Sequence, residues 1–165
     1  MKKVIVMSDT HGNQKYLRRV LEQENSYDYI FHLGDYFEDM DENPDLFENA
    51  ILRRVPGIFN KRYLSGSLLK TELVELLNWR FLLVHYINDA IKYKNEADII
   101  LFGHTHNPYY SQNENTHLIN PGHLKKSHHR GSDASYLVME VESEKINLSY
   151  KTLKGIEYKN ITIEK

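Results

Sequence analysis

The chain contains no cysteine, which excludes disulfides and thiolate metal sites and leaves its redox compartment unmarked. It also lacks a charge excess. Against 21 Lys and Arg stand 23 Asp and Glu, for a formal net charge of −2. That near-balance gives no electrostatic case for nucleic acid or a membrane surface as the dominant partner. Long hydrophobic runs are missing too. The opening stretch Met1-Lys2-Lys3-Val4-Ile5-Val6-Met7 meets Ser8-Asp9 at once, too soon for a signal peptide or a membrane span. It reads as the first buried strand of a cytoplasmic protein. There is no internal repeat and no low-complexity linker. The remainder is ordinary globular usage, with 41% hydrophobic and 27% charged residues over 165 positions. That is enough for one domain, residues 1–165, with a real core.

Val4 to Met7 is a continuous apolar run of the kind buried on both faces of a sheet. Asn13 is placed to cap a helix from about Gln14 to Glu24, with Leu17, Val20 and Leu21 on one face. Tyr29 to Leu33 reads as a second strand. The acidic stretch from Glu38 to Asn43 reads as a solvated loop, and Pro44 opens a short helix through about Leu52. Another short strand begins at Arg54-Val55 and is broken by Pro56-Gly57. Thr71 to Leu77 and Phe81 to His85 flank Asn78-Trp79-Arg80 as a hairpin. A helix is expected over 88–96, then a strand from Asp98 to Phe102. Further strands are expected around Tyr109, at Leu118-Ile119, and over 136–141, 146–150 and 157–163, with a polar loop from Pro121 to Ser135. The βαβ opening and the antiparallel close predict an α/β fold, a two-sheet mixed β-sandwich flanked by helices.

Four short clusters follow these apolar runs: Asp9-Thr10-His11, Gly34-Asp35, His85, and Gly103-His104-Thr105-His106. Two aspartates and four histidines at strand ends sit where loops gather ligands in open α/β sheets. Carboxylate oxygen with imidazole nitrogen suits Mn, Fe, Ni or Zn. Taken singly, each cluster also has a plain reading as a turn, a cap or a core histidine. Together, and above all with two histidines two apart after a glycine, they point to a metal site.

The order of these clusters, closed by Asn120-Pro121-Gly122, resembles the calcineurin-like metallophosphoesterase superfamily, in its small single-domain bacterial and archaeal phosphodiesterase form. The resemblance runs from residue 4 to about 150. It implies a four-layer α-β-β-α fold and two divalent metal ions, Mn2+ first, with Fe, Ni, Zn or Mg as alternatives. One ion would lie on Asp9, His11, Asp35 and His106. The other would lie on Asp35, His85, His104 and an asparagine, with Asp35 bridging. Asp35, His85 and His104 would carry the chemistry, with hydroxide on the metal attacking a small phosphate-ester substrate. A bridging carboxylate offsets repulsion between cations roughly 3.5–4 Å apart.

One family motif is altered. After Arg54-Val55-Pro56 the chain reads Gly57-Ile58-Phe59-Asn60, so Ile58 and Phe59 stand where the family has its asparagine ligand and a histidine or cysteine. Either Asn60 replaces the ligand, or Asp35, His85 and His104 hold the second ion with water. Tyr86 follows His85 where glycine is usual, and its ring narrows the pocket or stacks on substrate. The altered motif also motivates a second reading, a protein-binding scaffold of the same fold, as in a retromer subunit that resembles these enzymes. His32 reads as a core or outer-shell group. His117, His123, His128 and His129 read as solvated loop residues, although Lys125, Lys126, His128, His129 and Arg130 are a group able to meet phosphate. Sheet edges leave a homodimer open.

Overall fold

Alternation within the first strand sets the layers. In β1 (Lys2–Met7), Val4 and Val6 face one side and Ile5 and Met7 the other, and all four are fully buried. A strand with both faces apolar needs cover on both. Residues 1–93 and 95–165 are described here from a computed structural model.

Two mixed sheets supply the cover. The first has the order β13-β12-β11-β1-β2-β3, with β2 at Tyr29–His32, β3 at Ile51–Arg54, β11 at Ser135–Val141, β12 at Lys145–Thr152 and β13 at Glu157–Glu164. The second has the order β4-β5-β6-β8-β7, with β4 at Thr71–Leu76, β5 at Trp79–Val84, β6 at Ile99–Leu101, β7 at Tyr109–Asn113 and β8 at Thr116–Asn120. Between the sheets, Val4, Val6, Phe31, Leu137 and Met139 meet Phe81, Leu83, Ile99 and Leu101. Each such side chain contributes about 1.5–3 kcal/mol by leaving water, so this inner layer dominates stability.

On the outer face of the first sheet, Ile5, Met7, Ile30 and Val138 pack on Leu17, Val20 and Leu21 of α1 (Gln14–Glu24). The Asn13 side chain accepts the Tyr16 N–H and caps that helix, as the sequence predicts. On the outer face of the second sheet, Leu82, Val84 and Ile100 are covered by Ala90, Ile87 and Tyr93. The fourth layer is therefore a 3₁₀ segment, Ile87–Tyr93. The helix expected over 88–96 is replaced by it, and Lys94 lies outside the described residues.

Two other local expectations are corrected. Pro44 opens only one 3₁₀ turn, Pro44–Phe47. The stretch expected to continue as helix to Leu52 is instead the start of β3, an edge strand pairing in parallel with β2 through Leu52 opposite Ile30. Register with a neighbouring strand overrides local propensity there. The 121–135 loop contains a short hairpin, β9 (His128–His129) and β10 (Ser132–Asp133), and α2 (Lys61–Leu64) follows Asn60. No helix among the described residues is long and apolar enough to cross a membrane.

β1, β2 and β3 run parallel, as do β5, β6 and β8. The clusters Asp9-Thr10-His11, Gly34-Asp35, His85 and Gly103-His104-Thr105-His106 thus all leave the C-terminal ends of parallel strands, on two facing sheets.

Candidate metal centre

Asp9 is fully buried at the end of β1. Its Oδ2 accepts from Ser8 Oγ at 2.6 Å and from the His104 N–H at 3.0 Å. Oδ1 has no hydrogen-bond partner and lies 3.1 Å from His106 Nε2 and 3.8 Å from His11 Nε2. The two oxygens are thus divided, one holding the loop and one bare.

Asp35 is divided in another way. Its Oδ2 lies 3.6 Å from His11 Nε2, and its Oδ1 lies 3.3 Å from His85 Nε2. The His85 ring is oriented from behind, its Nδ1 donating to the Leu33 carbonyl at 2.7 Å. That fixes the tautomer and leaves Nε2 bare. His11 Nε2 and His85 Nε2 are buried and unpartnered, like Asp9 Oδ1. Burying three such atoms without partners is costly, and divalent cations satisfy them. Among the described residues, two groups have ligand atoms within 4.8 Å of one another: Asp9, His11 and His106, and Asp9, Asp35 and His85. The donor set, O and imidazole N, fits a divalent first-row ion.

His104 belongs to neither group. Its ring stands 5.4 Å from the His85 ring and 5.0 Å from Tyr86, at the mouth of the centre. Asn60 is engaged elsewhere: its Oδ1 accepts the Arg62 N–H at 2.9 Å, capping α2, and its amide donates to Glu38. The altered motif reaches the centre through its backbone instead. The Phe59 N–H points at Asp35 Oδ1 from 3.4 Å, and a Cβ on Gly57 would fall 2.1 Å from that same oxygen.

The backbone is strained where the ligands sit. Asp9, His11, Asp35, His104 and His106 all have positive φ, between +49° and +67°, at a cost of roughly 1–2 kcal/mol each for side-chain-bearing residues. Buried polar groups hold them there. Asn120 donates to the Gly103 carbonyl at 2.8 Å and to Thr105 Oγ1 at 3.1 Å. Thr10 Oγ1 reaches the carbonyls of Asp35 and Tyr36 and accepts from His32 Nε2 at 3.3 Å. His32 is thus an outer-shell group, neutral because burial pushes it down to about 3.

Electrostatics suit cation binding. Burial alone would raise the Asp9 carboxyl, but the neighbouring His106 and His85 imidazoles hold it below the usual range. Burial lowers His11 to about 4 despite Asp35 and also lowers His104. For His85, burial is outweighed by its Asp35 contact and the Asp9 charge, so it is raised.

Several residues play parts that sequence reasoning missed. Asp39, expected on a solvated face, is buried and accepts from the Gly12 N–H at 2.9 Å and from Gln14 Nε2 at 2.8 Å, bracing the His11 loop. His123 and His117 are buried rather than solvated, His117 beside Tyr110 at 3.1 Å. His129 contacts His106. Of the four, His128 is the solvated one, at the surface beside Asp133. The pairings of Asp39 and His129 span 27 and 23 residues, and no local signal announces them.

Two facing sheets with an Asp/His cluster at their parallel-strand ends define a metallophosphoesterase-type protein. Residues 1–144 match the family model described as "Calcineurin-like phosphoesterase superfamily domain", and the chain belongs to that superfamily. It is 29% identical over 156 residues to a probable metallophosphoesterase of Mycoplasma genitalium, covering 88% of this chain and 91% of that one. In fold it is similar to a conserved uncharacterized protein of Streptococcus pneumoniae TIGR4, a predicted phosphoesterase, with a TM-score of 0.74 at 23% identity over 99% of this chain and 98% of the other. It is also similar to Vps29 of Entamoeba histolytica in complex with Zn2+, with a TM-score of 0.71 at 20% identity over 98% of each chain. A third similar structure is the phosphoesterase YfcE of E. coli, with a TM-score of 0.71 at 21% identity over 96% of this chain and 98% of that one.

Proposed function

We propose that this protein is a phosphodiesterase working with two divalent cations, Mn2+ first among them. One would be held by Asp9, His11, Asp35 and His106, the other by Asp35, His85 and His104. The carrying observation is the split of Asp35, whose two oxygens face His11 and His85 separately while the nitrogens opposite them are buried and unpartnered. When bound, such a pair of cations acidifies the attacking water and withdraws charge from the phosphoryl oxygens.

The chain's own groups do the rest. Asp9 and Asp35 set the negative charge that gathers the cations, and the strained loops keep the imidazoles aimed. Tyr36 and Phe59 stand beside His11, at ring separations of 5.5 and 5.2 Å, and all of Tyr36, Phe59 and Tyr86 are exposed. These rings form an apolar rim for a flat ester arm. Phe59 has no proton to give a departing alcohol, so the preferred diesters carry leaving groups that depart as stable anions, such as aryl oxides.

The test is titration of chelator-stripped protein with Mn2+ by calorimetry, beside hydrolysis of an aryl phosphodiester. Two sites and turnover are expected of the wild type. Asp35→Ala is expected to lose paired binding and to slow hydrolysis roughly a thousandfold. Undiminished activity in that variant would sink the two-metal reading. No binding at millimolar Mn2+ would favour the scaffold role instead.

A further inference from the structure

His106 uses both ring nitrogens. Nε2 lies 3.1 Å from Asp9 Oδ1, and Nδ1 lies 2.7 Å from Nδ1 of His129 on the β9–β10 hairpin. Two imidazole nitrogens at that distance share one proton, so one ring donates and the other accepts. Resting on the metal-centre reading above, we propose that His129 is a positioning residue for His106, accepting its Nδ1–H so that Nε2 keeps a bare lone pair aimed beside Asp9 at a divalent cation.

The proton count is balanced. Without a cation, the His106 proton sits on Nε2 facing the Asp9 carboxylate, and His129 donates from Nδ1. With a cation at Nε2, the His106 proton sits on Nδ1, and His129 carries its own proton on Nε2. The pair carries the same number of protons in both states, so it releases none. An imidazole can switch between donor and acceptor in this way, whereas a lysine ammonium offers only donors and a carboxylate only acceptors.

The hairpin and the segment leading into it are tied to the ligand loops at several points, so His129 is not a passing surface contact. The Leu124 N–H donates to the Ser8 carbonyl at 3.2 Å. Asn13 Nδ2 donates to the Lys125 carbonyl at 2.9 Å. Arg130 Nη1 donates to the carbonyl of His104 at 2.8 Å, next to a backbone at φ +67°. Fully buried His123 packs against both rings, 5.2 Å from His106 and 5.8 Å from His129. Partners behind a metal-bound histidine typically carry 10–100-fold in metal affinity.

The experiment compares His129→Leu and His129→Asn with the wild type. Asn keeps an acceptor near the Nδ1 position, and Leu removes it. Chelator-stripped proteins are titrated with Mn2+ by calorimetry, and metal-free melting temperatures check that each variant folds. His129→Leu is expected to weaken one of the two sites about 10–100-fold and to leave the other unchanged, and His129→Asn to recover most of the loss. Nitrogen-15 spectra of wild-type protein loaded with diamagnetic Zn2+ are expected to show His129 protonated at Nε2. Wild-type affinity at both sites in His129→Leu, or no recovery in His129→Asn, overturns the proposal. A wild type that binds no metal overturns it together with the metal-centre reading, which separates the two failures.

Discussion

At the level of single residues, the centre depends on how little room surrounds its carboxylates. A Cβ on Gly103 would stand 2.0 Å from Ser8 Oγ and 2.9 Å from Asp9 Oδ2, both parts of the contact that turns Asp9 Oδ1 outward. Gly103→Ala is therefore expected to lower stability by about 2 kcal/mol and to weaken Mn2+ binding, measured by denaturant melts and calorimetry on the same preparation. Gly34 has a related role: at φ +95°, its missing Cβ leaves space for the His85 ring, which would otherwise be 2.7 Å away. Phe59 presents the opposite case, a large exposed ring against a ligand. If it stacks on a flat ester arm, Phe59→Ala raises KM for an aryl diester roughly three- to tenfold and barely changes kcat. An unchanged KM would remove the apolar rim from the account. The aspartate and histidine identities were legible from the sequence, because carboxylate and imidazole at strand ends carry their chemistry with them. The backing groups were not. Asp39 and His129 act through partners in other loops, and nothing near them in the chain marks those partners.

Among elements, α1 is joined to three strands by one buried carboxylate. Glu24, the last residue of the helix, accepts from Tyr136 of β11 at 2.6 Å and from Lys151 of β12 at 2.8 Å, and pairs with Lys3 of β1 at 2.8 Å. Burial pushes the Glu24 carboxyl up, but the hydrogen bonds from Lys151, Lys3 and Tyr136 outweigh it, so the net shift is downward from 4.5. A depressed folded-state value stabilises the fold fully above the unfolded value. That stabilisation is lost as the pH falls through the folded one. Glu24→Gln is expected to cost about 2 kcal/mol near neutrality, moderated by the partial exposure of both lysines. The difference from wild type is expected to shrink in urea melts taken well below pH 4.5. A constant difference across pH would show that the charge is not the cause. Short apolar runs of strand length made β1, β2, β11 and β12 readable in the sequence. β3 was readable only as a short strand beginning at Arg54, although it runs over Ile51–Arg54 and its start is recognisable only beside β2, and the 3₁₀ segment over sheet two carries no helical stripe long enough to distinguish its type.

For the whole molecule, cation binding and folding are linked. Each cation that binds the folded chain alone adds about 2.7 kcal/mol when its free concentration is 100 times its dissociation constant. For a domain of this size that corresponds to a rise in melting temperature of roughly 5–10 °C. Mn2+ is expected to raise the midpoint by that amount for each ion bound, chelator to reverse it, and Asp35→Ala to show less than half the rise. A melting temperature indifferent to metal would place the cluster outside any cation site. The sequence by itself determined which strands are buried, because apolar periodicity is a local property, and which side chains can ligate, because donor chemistry belongs to the residue. Only the tertiary structure decided that four loops from two sheets meet, that Asp35 divides its oxygens between His11 and His85, that Asn60 caps a helix, and that His129 stands behind His106. Those are distances between residues far apart in the chain, and they exist only once the inner core has closed and brought the strand ends together.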